Sequence, residues 1–121
     1  MTLARQAFGK SGEDRAVEAL ERLGYEILAR RYRTAHGEID IVAKDGETTV
    51  FVEVKARASA EFGTAAEAIT PHKQRKIIRM ASEYLTFNHL VNIPCRFDVV
   101  TLDGVGEEAV LAVYPGAFEV A

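Results

Sequence analysis

The stretch HGEIDIVAKDGETTVFVEVKAR, residues 36–57, constrains this chain more than any other. Two runs rich in β-branched residues flank Asp45-Gly46, a dipeptide that strongly signals a tight hairpin turn. Each run carries a carboxylate in its middle, Asp40 in the first and Glu53 in the second, and Lys55 follows two residues later. A half-buried hairpin has no structural need for Asp, Glu and Lys among its valines and isoleucines.

Register sharpens the point. A two-residue turn at Asp45-Gly46 sets Ile39 opposite Val52, Ile41 opposite Val50 and Asp40 opposite Phe51. Side chains alternate faces along a strand. One face then collects Ile39, Ile41, Ala43, Val50, Val52 and Val54. The other collects Glu38, Asp40, Val42, Phe51, Glu53 and Lys55. Asp40 and Glu53 become diagonal neighbours, within reach of one shared ion. A slip of one residue would turn charges onto the oily face, which fixes the register. The plain alternative is a solvated polar face, but Val42 and Phe51 share it.

The flanking sequence supplies the rest of a fold. Ser11 and Asp14 mark a helix start, and the helix runs to about Leu23 before Gly24. Glu13 lies on its apolar stripe with Ala16, Val17 and Leu20, through steps of three and four residues. A carboxylate at the core-facing start of a helix is costly unless paired or bound to a cation. The residue either serves the helix dipole or adds a third oxygen donor to Asp40 and Glu53. A strand is expected from Tyr25 to about Arg33. Thr70-Pro71 opens a second helix to Phe87 or Asn88, with Ile77, Ile78, Ala81, Tyr84 and Leu85 as its stripe. Gln74 shares that stripe and suits either a phosphate contact or a backbone cap. Strands follow at Cys95–Leu102 and in AVLAVYPGAF. Residues 1–10 read as a loose arm, and 58–69 as a mobile loop of small residues. The order α-β-β-β-α-β-(β) predicts one α/β domain over residues 1–121, a mixed sheet with helices packed on it.

Composition limits the functions open to the chain. About half the residues are apolar (48%) and 27% are charged, as in a globular protein. No apolar run approaches the roughly 20 residues of a membrane span, and no signal-peptide pattern opens the chain, so a cytoplasmic protein without membrane contact is expected. The single cysteine, Cys95, forms no internal disulfide and no zinc pair. The three histidines, His36, His72 and His89, share no metal spacing, and neither a P-loop nor a Gly-x-Ser-x-Gly elbow is present. Net charge is −3, yet the basic residues cluster. Arg30, Arg31 and Arg33 form one group, Lys55 and Arg57 a second, and Lys73, Arg75, Lys76 and Arg79 a third. A chain acidic in sum still presents a basic face when its charges segregate in this way.

Carboxylates beside a lysine, without a cysteine or histidine cluster, suit a hard divalent cation such as Mg²⁺ or Mn²⁺. Such an ion acidifies water and neutralises charge on a phosphoryl oxygen. Lys55 is placed either to orient the attacking water or to stabilise a negatively charged transition state. Phosphodiester hydrolysis is the reaction this set predicts, with the phosphate backbone held by Arg30, Arg31, Arg33, Arg57, Lys73, Gln74 and Lys76.

Glu13 in a first helix, then Gly37-Glu38-Ile39-Asp40, then Glu53-Val54-Lys55, together resemble the PD-(D/E)XK nuclease superfamily, most closely its archaeal Holliday-junction resolvase branch. From GKSGEDRAVEALERLGY through the hairpin to RFDVVTLD, the chain further resembles the YraN family of uncharacterised bacterial proteins. Ile39 stands where the superfamily's name has proline. The resemblance implies a restriction-endonuclease-like αβββαβ core. It implies Asp40 and Glu53 as ligands of Mg²⁺ or Mn²⁺, Lys55 as the catalytic lysine and Glu13 as the helix-borne acidic residue. It also implies DNA as substrate, including branched DNA, and a homodimer with two sites. The competing expectation is a module of the same fold that binds nucleic acid or protein without cutting.

Overall fold

The computed structural model of the chain describes residues 12–58 and 67–120. Its elements follow as α1 (Gly12–Arg22), β1 (Glu26–Thr34), β2 (Gly37–Asp45), β3 (Thr48–Arg57), α2 (Pro71–Phe87), β4 (Cys95–Asp103), a 3₁₀ turn (Gly106–Glu108) and β5 (Val110–Phe118). This is the α/β order expected from the sequence. The arm at 1–10, the Ser11 cap and most of the small-residue loop after Arg57 fall outside the described residues. Among the described residues no helix is long and apolar enough to cross a membrane.

One sheet holds all five strands in chain order, β1-β2-β3-β4-β5. Neighbours are antiparallel except β3 and β4, which run parallel. Parallel neighbours need a long crossover, and α2 supplies it. Thr70 caps that helix by accepting the Lys73 N–H at 3.1 Å, with Pro71 in the first turn. One face of the sheet packs on α1, through Ala16 and Leu20 against Ile41, Ala43, Val50, Val52 and Val100. The other packs on α2, through Ile77, Met80, Ala81 and Tyr84 against Ile39, Val42, Phe51, Phe97 and Val99. Phe51, Phe97 and Phe118 stack in a row across three strands, with centroids 5.7 and 5.1 Å apart. Strands covered on both faces read as near-continuous apolar runs. That is why β4 shows no alternation in its sequence.

The hairpin differs from expectation in two ways. Its turn is Gly46-Glu47, because Asp45 pairs with Thr48; Ile41 therefore faces Val52 and Val42 faces Phe51. Gly46 has φ 62, which suits the first central position of a type II′ turn, where glycine is favoured. The slip is two residues, so it leaves the division of β2 and β3 between faces intact, with one exception. Ile39 belongs to the α2-side core and Ile41 to the α1 side, although two residues apart. The cause is a break between them. Arg31 adopts a left-handed backbone, φ 50, and the Arg31–Asp40 position is skipped in the β1–β2 ladder. Pairing between β2 and β3 stops at Ile41–Val52. Beyond it the Asp40 carboxylate, rather than a backbone carbonyl, accepts the Val54 N–H at 2.8 Å.

A second polar centre, which the sequence analysis read only as strand, is built on β4 and reaches β2 and β5. Asp98 is fully buried and accepts from the Tyr25 hydroxyl at 2.9 Å, Arg96 Nε at 2.8 Å and Gly116 N at 2.9 Å. Arg96 also reaches Asp45 at 3.0 Å. Gly116 sits in the irregular part of β5, where pairing passes from Phe97–Phe118 to Val99–Tyr114. Burial, then the bond to Asp98, pushes the Tyr25 hydroxyl up to about 12.

Candidate active site

Asp40 and Glu53 meet where β2 and β3 part. Asp40 is held at the break by its bond to Val54 N. Glu53, on the α2 side of β3, keeps only 12% of its side chain exposed and has Lys73 Nζ 3.6 Å from its carboxylate. Burial first, and then the charge of Asp40, push Glu53 up to about 7, while Lys73 opposes the rise. Two acids thus share a partly dry site with one amine from the first turn of α2. Lys55, two residues along β3, is exposed and makes no ion pair or hydrogen bond among the described residues. The parallel ladder pairs Glu53 with Val99 and Lys55 with Thr101, so both charged residues rise from the α2-side face.

Glu13, expected to share an ion with Asp40 and Glu53, has both oxygens engaged by β1. Arg30 Nε donates to one and Arg31 Nε to the other, each at 2.9 Å. Asp14 takes a further donor of Arg30. Among the described residues, no three His, Cys, Asp or Glu side chains converge as a metal-chelating group. The helix stripe brings Glu13 to the sheet as its spacing requires, and the two arginines answer the cost of its burial.

The expected phosphate-binding residues divide. Arg33 pairs with Glu38 at 2.8 Å on an exposed surface. Arg57 grips Asp103 through Nε at 2.6 Å and a terminal nitrogen at 3.0 Å, joining the ends of β3 and β4. Gln74 donates to the Ile69 carbonyl at 2.9 Å, the backbone-capping alternative. Lys76 crosses Gly37: a Cβ there would stand 3.2 Å from its Cε. Lys73 joins Glu53, a role the sequence did not single out, although its place three residues after the Thr70 cap puts it in the first turn. Lys73 stands 3.6 Å from the Glu53 carboxylate, and Lys55 rises from the same face of β3. The arrangement is suited to holding a divalent cation at Asp40 and Glu53 with amines beside it.

Comparison with known proteins adds kinship. Residues 12–102 match the model of the uncharacterised protein family UPF0102. A UPF0102 protein of Geobacter metallireducens is 43% identical over 121 residues, covering 100% of this chain and 99% of its own length. One from Caldicellulosiruptor saccharolyticus is 50% identical over 96 residues, covering 79% of this chain and 81% of its own. The matched span takes in α1, the hairpin, α2 and nearly all of β4, and the chain belongs to the UPF0102 family.

Proposed function

We propose that the protein is a Mg²⁺- or Mn²⁺-dependent nuclease of the PD-(D/E)XK kind, hydrolysing phosphodiester bonds in DNA. The observation that carries this reading is the meeting of Asp40 and Glu53 at the break between β2 and β3, with Lys55 on the same face of β3 as Glu53 and without a side-chain partner among the described residues.

The donor set fits a hard cation. Both acids offer oxygen, and their mutual repulsion in a buried setting is what a divalent charge relieves. Asp40 and Glu53 would hold the ion; Glu13 would join them only on leaving Arg30 and Arg31. When bound, the ion supplies charge neutralisation at the phosphoryl oxygens and acidifies water. The chain's own groups do the remainder. The Val54 N–H fixes the Asp40 carboxylate, and Lys73 favours the charged form of Glu53 against burial and Asp40. Lys55 stabilises charge developing on the phosphate. Lys73 and Lys76 hold neighbouring phosphates on the α2 side, and the donors of Arg30 and Arg31 not given to Glu13 serve on the β1 side. A homodimer would present two such sites to two strands, which makes branched DNA the substrate to try first.

Labelled linear, single-stranded and four-way DNA, incubated with Mg²⁺ or Mn²⁺ and with EDTA as control, tests the reading. Cleavage is expected with metal only, falling at least about 100-fold in Glu53→Ala and in Lys55→Ala. Cleavage that survives both substitutions points to a contaminant, and binding without any cutting favours the non-catalytic module instead.

A further inference from the structure

Two polar side chains near the acid pair lack partners among the described residues, and they stand next to each other. Lys55 is exposed and unpaired. Thr101 is completely buried, yet its Oγ1 meets no donor or acceptor among the described residues. The parallel ladder sets these two residues directly side by side. Strands lie about 4.8 Å apart, and in-register neighbours project from the same face. That face is fixed by the neighbours: Val99 packs in the α2-side core, whereas Val54 and Val100 pack on the α1 side. Thr101 therefore rises from the same side as Glu53 and Lys55, one strand over.

A buried hydroxyl without a hydrogen bond is both costly and uncommon. Val99, Val100 and Leu102 surround this one in sequence, and a valine in its place would carry no such cost. A lysine ammonium offers three donors on a flexible stem and aims them well only when something holds it. We propose that Thr101 is a positioning residue for Lys55: in the loaded site the ammonium folds onto Thr101 and donates one N–H to Oγ1. Its other two donors then face the phosphate held over Glu53. In the free protein the amine stays in water and the hydroxyl stays unpaired. This rests on the nuclease reading for its purpose, but the pairing is observable without any cleavage.

The test compares wild type, Thr101→Val and Thr101→Ser in the full chain, labelled with ¹⁵Nζ and ¹³Cε lysine. Lys55→Arg assigns the Lys55 signal. The probe is Mg²⁺ with a short phosphorothioate-linked oligodeoxynucleotide. Wild type and Thr101→Ser should show a distinct, slowly exchanging Lys55 ammonium on addition of the probe, and Thr101→Val should not. Thr101→Val should melt at or above the wild-type temperature, since it removes an unsatisfied group; a structural hydroxyl would lower it. In cleavage, kcat should fall about tenfold in Thr101→Val with KM unchanged, and the substitution should add nothing to Lys55→Ala. The same Lys55 signal in wild type and Thr101→Val overturns the proposal. If wild type cleaves nothing, the nuclease reading falls and the ammonium signal alone decides: lost in Thr101→Val, the pairing stands; unchanged, it fails.

Discussion

Glu53 carries the tension of the site. It is largely buried beside a second carboxylate, and Lys73 opposes the repulsion. Glu53→Gln removes that repulsion while keeping shape. In EDTA at pH 8 the variant should melt higher than wild type, by an amount equivalent to about 1–2 kcal/mol. It should also lose the stabilisation that Mn²⁺ gives the wild type, since a ligand that binds only the folded state raises its melting temperature. A wild type that is indifferent to Mn²⁺ across a millimolar titration would count against the acid pair as a cation site. Tyr25 sets a different pH response. Its hydroxyl ionises at about 12 in the fold against 10.0 in the unfolded chain. Below pH 10 both states keep the proton and the contribution is complete. Between pH 10 and 12 the unfolded chain releases its proton first, so stability falls as pH rises. Tyr25→Phe should flatten that part of the stability curve. It should also cost about 1 kcal/mol at pH 7, where Asp98 loses a donor.

At the scale of elements, α2 does two jobs. It closes the parallel crossover, and its first turn delivers Lys73 to Glu53. Both depend on where the helix starts, which Thr70 fixes by capping the Lys73 N–H. Thr70→Ala should destabilise the protein by about 1 kcal/mol in urea unfolding. It should also weaken the Lys73–Glu53 pairing, because the capped amide belongs to Lys73 itself. The break between β2 and β3 is the other decisive element. An unbroken hairpin would satisfy Val54 N–H with a carbonyl. Here a side chain does so, which turns a strand edge into a place where an acid is held rigidly. The strained backbone at Arg31 lies at the matching position of β1, so the irregularity crosses two strands.

The whole molecule is a sheet with a charged centre on each face, set among apolar packing. Opposite the acid pair, Asp98 binds Tyr25, Arg96 and Gly116, and through Arg96 reaches Asp45. This cluster joins β2, β4 and β5 and keeps the irregular part of β5 in place. Asp98→Ala leaves several donors without their acceptor, and should cost about 3–5 kcal/mol in equilibrium unfolding. Because Asp98 has no solvent exposure, added salt should do little to that difference. A loss under 1 kcal/mol would mean that the cluster adds nothing to the joining of these strands.

Much of this was legible in the residues. Thr70-Pro71 placed α2, the β-branched runs placed β2 and β3, and odd–even alternation put Glu53 and Lys55 on one face. Local signals of this sort act over a few residues, where backbone preference and side-chain period decide the outcome. The turn moved by one residue because glycine's left-handed φ serves a different turn type from the one its neighbour suggested. Ile39 changed sides, Glu13 was taken by Arg30 and Arg31, and Asp98 proved to be a buried junction. No spacing rule foresees these, since each depends on groups from separate elements competing for the same space and the same hydrogen bonds. Local preference and side-chain period dictate which elements form and, Ile39 apart, which side chains of the hairpin share a face. Only the tertiary structure decided which charges meet, because pairing, unlike period, is settled by what arrives from elsewhere in the chain.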